Sequence, residues 1–351
     1  MLTGLSAYAT IVGKKVICDY CKEEIKTQYV EVDGKHYHPI HFLCANCGNP
    51  ILDLKYFKKD GKYYCEKCYK KLFAPRCAYC NGILDSQYIV VDGKNYHEDC
   101  YDKFVAIRCS LCGEIIKGPY QTDFWGNKYC SSHENETPRC DYCGRYISDK
   151  LTQGGYEYGD GRHICGLCLK SAVTDLNRAK SLLNEVKAQL VHMGIVIDYD
   201  KIGLHLVSRD ELQKIQGTKN GGEMGFVEYE YSTYENVTIM KSLDINILYG
   251  MPEIYFFAIA AHELMHVWQY LHGMLGNDPA FCEGSCNYAS YLILKNHPNK
   301  EYARYLLYNL ENDKDEKYGD GFRRVRKLVR DRGIDYWLNC LKEDKNFPAG
   351  Y

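Results

Sequence analysis

Apolar residues recur at helical spacing at Leu176, Ala179, Leu182, Leu183, Val186 and Leu190, which predicts an amphipathic helix ending near Gly194. The segment IGLHLVSRDEL at 202–212 reads as a strand and then a helix opened by the capping box Ser208-x-x-Glu211. Alternation at Val237, Ile239 and Lys241 reads as a second strand. An unbroken apolar run at 254–261, with Pro252 suited to a first helical turn and Gly273 suited to an end, predicts a long helix. Asp278-Pro279 starts another. Before residue 170 the pattern is different. VEVDGKHYH at 30–38 recurs as IVVDGKNYH at 89–97, each a short alternating strand, an Asp-Gly turn and a return to His, which is the mark of a hairpin. KKDGKYYCEKC at 58–68 and DFWGNKYCSSH at 123–133 repeat the idea.

Composition narrows the class. The chain has 351 residues, enough for two or three domains, and its 46% hydrophobic and 26% charged residues are ordinary for globular protein. The longest apolar run has eight residues, well short of the roughly 20 needed to span a bilayer. No basic region precedes the apolar stretch at the N-terminus, so no export signal is expected and a cytoplasmic location is. The outlier is 19 cysteines, 16 of them between Cys18 and Cys168. A reducing compartment disfavours structural disulfides, so this enrichment points to metal and marks a boundary near residue 170.

Tetrahedral zinc takes four ligands, usually as two close pairs on tight turns. Read in order, Cys18 and Cys21 pair with His38 and His41; Cys44 and Cys47 with Cys65 and Cys68; Cys77 and Cys80 with His97 and Cys100; Cys109 and Cys112 with Cys130 and His133; Cys140 and Cys143 with Cys165 and Cys168. The spacers between pairs are 16, 17, 16, 17 and 21 residues, each room for one hairpin. Five structural zinc ions are therefore expected. The two all-cysteine sets would also accept an iron–sulfur centre, but the hairpin context favours zinc. His163 could replace Cys165, although Cys165-x-x-Cys168 makes the better knuckle; His36 and His163 are read as surface residues.

The second half carries a different pattern. His262-Glu263-x-x-His266 puts two imidazoles on one helix face with a carboxylate beside them, a zinc-peptidase arrangement. Sixteen residues separate His266 from Glu283, which lies on the helix begun at Asp278. A returning helix that delivers a carboxylate completes a His₂Glu set and leaves one position open for water. Glu263 is then the general base. Cys282 and Cys286 are read as packing residues, and His192, His205, His272 and His297 have no partner spacing.

YHPIHFLCANCGNPI, with two residues between His41 and Cys44, resembles the centre of a LIM domain, except that His41 stands where Cys is more usual. The next two sets are eight residues apart, between Cys100 and Cys109, and are only LIM-like. Together with DGRHICGLCLKSAV, AHELMHVW, CEGSCNYASYL and YGDGFRRVRK, these segments resemble the LIM-containing gluzincin peptidases, whose plant members are ubiquitin-activated and restrain organ growth. The resemblance runs from about residue 16 to 348. It implies an α+β chain: a LIM domain at 16–74, a LIM-like domain at 75–137, a single zinc-knuckle module at 138–170, and a mainly helical zincin-type metallopeptidase domain with a small sheet at 171–351. It implies protein substrates or partners held by the LIM modules. It also implies a possible ubiquitin link, although the ubiquitin-interacting helices of the plant proteins are not expected in the 17 residues before Cys18. By the same resemblance the strand in NVTIMKSLDINIL at 236–248 should edge the cleft. Asn287 should orient a ligand histidine, and Tyr318, in YGDG, should donate to the oxyanion.

Nucleic acid is not an expected partner. With sixteen ligand thiolates and six zinc ions the formal charge moves from −2 only to about −6. The one dense basic run, RRVRKLVRDR at 323–332, reads as a solvated helix face. The competing expectation to a peptidase is a non-catalytic LIM adaptor with a relic zincin domain. The intact His-Glu-His-Glu set speaks against it, since a relic need not keep the base.

Overall fold

The computed structural model describes residues 8–10, 15–85, 87–133, 137–217, 222–234, 237–274, 278–344 and 346–351. The fold is mixed α+β: small Cys/His-rich hairpin modules precede a mostly helical region with a three-stranded sheet. Two compact units divide at Ile107/Arg108, between the third and fourth ligand sets. All 19 cysteines are free thiols, and no helix among the described residues is long and apolar enough to cross a membrane.

In the first unit, hairpins join Gln28–Val32 to Lys35–Tyr37, Tyr56–Lys59 to Lys62–Cys65, and Ile89–Val91 to Lys94–Tyr96. Each turns on an Asp-Gly pair with both residues at positive φ (Asp33 and Gly34, Asp60 and Gly61, Asp92 and Gly93), the type I′ geometry whose twist matches the strands. The apolar cores are small. One gathers Val30, Val32, Phe42, Ile51, Tyr56 and Tyr64 around Cys44 and Cys68; another has only Leu84 and Tyr96 with Cys77. Cores of this size do not hold a fold without staples.

The second unit contains the last two ligand sets and the helical region. The fourth hairpin, Tyr120–Thr122 with Lys128–Cys130, breaks the Asp-Gly pattern. Asp123 accepts from the Trp125 and Asn127 amides, and the longer loop carries Phe124 and Trp125 outward. Trp125 donates to the Cys143 carbonyl and packs against Tyr302 and Tyr305, while Phe124 packs against Tyr305 and Tyr308.

Helix α1 (Leu176–His192), capped by Asp175, buries the predicted Ala179, Leu182, Leu183, Val186 and Leu190. Strand β1 (Ile202–Val207) is followed by α2 (Arg209–Gln216), where the Ser208/Glu211 capping box is formed. Strands β2 (Gly225–Tyr234) and β3 (Val237–Leu248) are antiparallel, and β1 pairs with β3 in parallel, so the order is β1-β3-β2. This corrects the expectation for the strand at 236–248. Its second half is paired on both sides over residues 243–247, which makes the strand central, and β2 is the edge strand that lies over the next helix. That helix, α3 (Glu253–Leu271), has Pro252 as its N-cap residue and is buried on most of its circumference. Helix α4 (Pro279–Asn296) begins with Asp278 accepting from the Phe281 amide. Then come α5 (Lys300–Asn312), a π-helical turn (Glu316–Asp320), α6 (Gly321–Arg332) and α7 (Ile334–Glu343). Two glycines let α4 and α6 touch backbone to backbone. A Cβ on Gly284 would sit 2.2 Å from the Gly321 carbonyl carbon, and one on Gly321 would sit 2.2 Å from the Ala280 oxygen.

Candidate metal centres and active site

Each predicted ligand set is gathered in space: Cys18, Cys21, His38, His41; Cys44, Cys47, Cys65, Cys68; Cys77, Cys80, His97, Cys100; Cys109, Cys112, Cys130, His133; Cys140, Cys143, Cys165, Cys168. Within a set all ligand atoms lie within 4.8 Å of one another. Zn–S bonds of about 2.3 Å and Zn–N bonds of about 2.0 Å give tetrahedral edges of roughly 3.5–3.8 Å. The Cys143–Cys165 sulfurs are 3.7 Å apart, and Cys18 to His41 Nδ1 and Cys21 to His38 Nδ1 are 3.6 and 3.5 Å. His133 Nε2 is buried with no hydrogen-bond partner, so this donor set fits a cation. In the first four sets burial would raise the leading thiol. Backbone N–H groups of the knuckle and of His38, Cys65, His97 or Cys130 opposite it outweigh burial and hold Cys18, Cys44, Cys77 and Cys109 at about 6, so each favours the thiolate a metal needs. His36 and His163 stand outside the sets, facing Glu31 and Glu157.

The His262, His266 and Glu283 side chains converge where α3 and α4 face each other. Glu283 Oε2 lies 3.2 Å from His262 Nε2 and 3.4 Å from His266 Nε2, close to the edges of a tetrahedral N,N,O site. That oxygen is buried and makes no hydrogen bond, so this donor set fits a divalent cation. Burial would raise the Glu283 carboxyl, but the two imidazoles hold it well below the usual carboxylate range. Both imidazoles are anchored from behind. His262 Nδ1 is 3.1 Å from Asn287 Oδ1, and Asn287 Nδ2 donates to the Tyr318 carbonyl at 3.0 Å. His266 Nδ1 is 3.1 Å from Gln269 Oε1, and Gln269 Nε2 donates to the Cys282 carbonyl at 3.0 Å and toward Cys286 Sγ. Each amide oxygen fixes its imidazole as the Nδ1–H tautomer and leaves Nε2 as the ligand atom. Cys282 and Cys286 thus support the site from behind.

Glu263 is buried beside the ligands. Burial pushes its carboxyl above the ordinary value, and Glu283 and Glu223 add to the shift that His262 and His266 oppose. A Cβ on Gly225, at the start of β2, would lie 2.4 Å from Glu263 Oε1, so only glycine lets the edge strand approach. Glu223, Gly225, Phe226 and Val227 line one side of a cavity of about 230 Å³; His262, Glu263, His266, Glu283 and Tyr318 line the other. The Tyr318 ring stacks near His262 with centroids 6.3 Å apart, and burial with the Glu283 charge keeps its phenol protonated.

Glu263, His262, His266, Glu283, Asn287 and Tyr318 are therefore all brought together. Gln269, Gly225 and Glu223 were not anticipated. For Gln269 the signal was present, since it lies three residues beyond His266 on the same helix face. The unpaired histidines have ordinary roles. His205 meets Asp244, His272 stacks on Trp268, His297 accepts from the Asn299 amide and His192 is exposed.

A family model described as LIM domain matches residues 18–73, and one described as Protein DA1 (DA1-like) matches residues 165–302. The LIM domain-containing protein HDR3 of Oryza sativa subsp. japonica is 25% identical over 401 residues, covering 95% of this chain and 74% of its own length. Protein DA1-related 2 of Arabidopsis thaliana is 25% identical over 395 residues, with 95% and 70% covered. Protein DA1 of the same plant is 24% identical over 391 residues, with 95% and 68% covered. The second matched segment contains Cys165, Cys168, His262, Glu263, His266 and Glu283. The chain carries a LIM domain and a DA1-like domain, and the plant DA1 and DA1-related proteins are its homologues.

Proposed function

We propose that this protein is a zinc-dependent endopeptidase that holds its metal with His262, His266 and Glu283. The observation that carries the reading is the buried, hydrogen-bond-free Glu283 Oε2 facing two imidazole nitrogens whose opposite edges are already tied down. Zinc in such a site supplies Lewis-acid polarisation of a carbonyl and lowers the pKa of water. Glu263, raised by burial, takes the proton of the attacking water and passes it to the leaving amine. An extended substrate adds to the free edge of β2, where Gly225 opens the way to Glu263. Tyr318, on its π-helical turn, donates a hydrogen bond from its phenol to the developing oxyanion and keeps its proton.

In this reading one exchangeable catalytic zinc joins five structural ones in a cytoplasmic protein. The LIM domain (16–74), the LIM-like domain (75–137) and the knuckle module (138–170) serve the peptidase domain (171–351) by binding protein substrates or partners. The test is a variant set with zinc counted by native mass spectrometry. Glu263→Gln should abolish hydrolysis of a peptide library with six zinc ions retained, whereas Glu283→Ala should lose activity and the sixth ion together. A Glu283→Ala chain with full metal and activity would overturn the ligand assignment. Tyr318→Phe should lower kcat by about 10²–10³ with little change in KM or Tm.

A further inference from the structure

Helix α5 has two working faces. Through Leu306, Asn309 and Leu310 it walls a cavity that opens from His262. Its other face closes, with α4 and the tip of the fourth hairpin, a separate cavity of about 490 Å³ that the proposed peptidase site does not use. The floor is apolar and already desolvated, formed by the buried Leu294 and Ala303 with Leu307 beside them. Phe124 and Tyr308, with ring centroids 5.4 Å apart, make an aromatic wall, and Tyr308 is 53% exposed.

The rim is cationic. Lys295, Lys300 and Arg304 are exposed around this floor, and among the described residues none has a carboxylate partner. The Lys300 ammonium donates only to the Lys295 carbonyl, and the Arg304 guanidinium lies 5.7 Å from the Phe124 ring centroid. The one carboxylate in the lining, Glu311, is taken by Arg326 at 2.5 Å, and Glu301 lies off the lining. This departs from the rest of the molecule. The chain is −2 overall, and the cleft on the far side of α5 is lined by Glu223, Glu263, Glu283 and Asp313. Three uncompensated cations around a dry apolar floor repel one another and lower their energy when a ligand brings negative charge together with apolar surface.

We propose that this cavity is an exosite for an acidic protein segment carrying a large apolar side chain. The apolar side chain lies on the Leu294–Ala303–Leu307 floor against Phe124, and flanking carboxylates meet Lys295, Lys300 and Arg304. The aliphatic floor offers no donors or acceptors to base edges, which favours a peptide over nucleic acid. The role as an exosite rests on the peptidase reading, because α5 is also a wall of the catalytic cleft; the binding itself does not.

The experiment uses the full zinc-loaded chain carrying Glu263→Gln and a fluorescein-labelled acidic peptide with a central Leu-Phe pair, followed by anisotropy at low salt. Saturable binding is expected. It should weaken about tenfold in Lys295→Glu/Arg304→Glu and several-fold in Lys300→Glu, and it should fall as salt is raised. All three positions are exposed, so Tm should hold. Replacing Leu-Phe by Ser-Ser should also weaken binding. Equal affinity in the charge-reversed variants or for the Ser-Ser peptide would overturn the proposal. So would an oligothymidylate that binds more tightly and shows the same charge dependence. Binding that persists while the parent chain hydrolyses no peptide would remove the peptidase reading and leave the site standing.

Discussion

The second and fifth ligand sets have the same chemistry, four cysteines on a knuckle and a hairpin, but different surroundings. In the second, Cys47 is exposed, and the neighbouring core is a handful of residues from Val30 to Tyr64. In the fifth, Cys140, Cys143, Cys165 and Cys168 are all buried and belong to the same cluster as Val173, Ala179, Met251 and the inner faces of α3 and α4. Polar ties reinforce the difference. Tyr255 of α3 donates to the Tyr142 carbonyl, and Cys168 Sγ lies 3.2 Å from the Tyr302 hydroxyl. The buried Arg162 donates to Asp160, to Tyr142 and to the Tyr249 carbonyl behind the sheet. One cysteine pattern thus has two settings: in the second set a metal would stand in for a core, and in the fifth it would be set into one.

The largest test of this contrast is a pair of ligand variants. Cys165→Ser should remove one zinc and lower the Tm of the helical signal on the order of 10 °C or more, because the lost site is continuous with the core beneath the candidate active site. Cys44→Ser should also remove one zinc but leave the helical melt, followed by circular dichroism, within about 2 °C. Equal shifts would break the comparison.

Arg162→Met should come next. It strands the buried Asp160 carboxylate and should cost about 3–5 kcal/mol in urea unfolding with an unchanged m-value. Asp160→Asn in the same chain should return part of the loss. Burial raises Asp160, but Arg162 and the Arg209 amide hold it at about 2. Its contribution is therefore complete above about pH 4 and fades as the pH falls toward 2, provided zinc occupancy is followed in parallel.

Gln269→Ala should weaken binding of the sixth zinc about 10–100-fold, measured by competition with a chelator, and leave the five cysteine-rich sites loaded. The smallest effect belongs to the first unit. Asp33→Asn removes an exposed contact with Lys58 and Tyr63 and should not move the unfolding midpoint measurably.

Much of the site was legible because its parts are local. A two-residue spacer and an Asp-Gly turn bring sulfurs together within one hairpin, and an i, i+4 pair sets two imidazoles on one face whatever surrounds the helix. The capping box at Ser208 and the helix start at Asp278 are likewise settled within a turn of chain. The rest required knowing which elements meet. Residues 236–248 carry a strand pattern, but only the parallel pairing with Ile202–Val207 makes that strand central and leaves Gly225–Tyr234 as the edge above Glu263. Gly225, Gly284 and Gly321 read as ordinary glycines until the neighbours that a Cβ would strike are in place. Asn287 and Gln269 acquire their roles only because the packing of α3 against α4 excludes water, so that each amide must satisfy a buried imidazole. The sequence alone determined the ligand sets, the hairpins and the helix carrying His262 and His266, since backbone geometry over a few residues dictates them. Burial of the fifth set, the edge strand over Glu263 and the two faces of α5 were decided by tertiary structure, since each depends on surfaces that distant segments remove from water together.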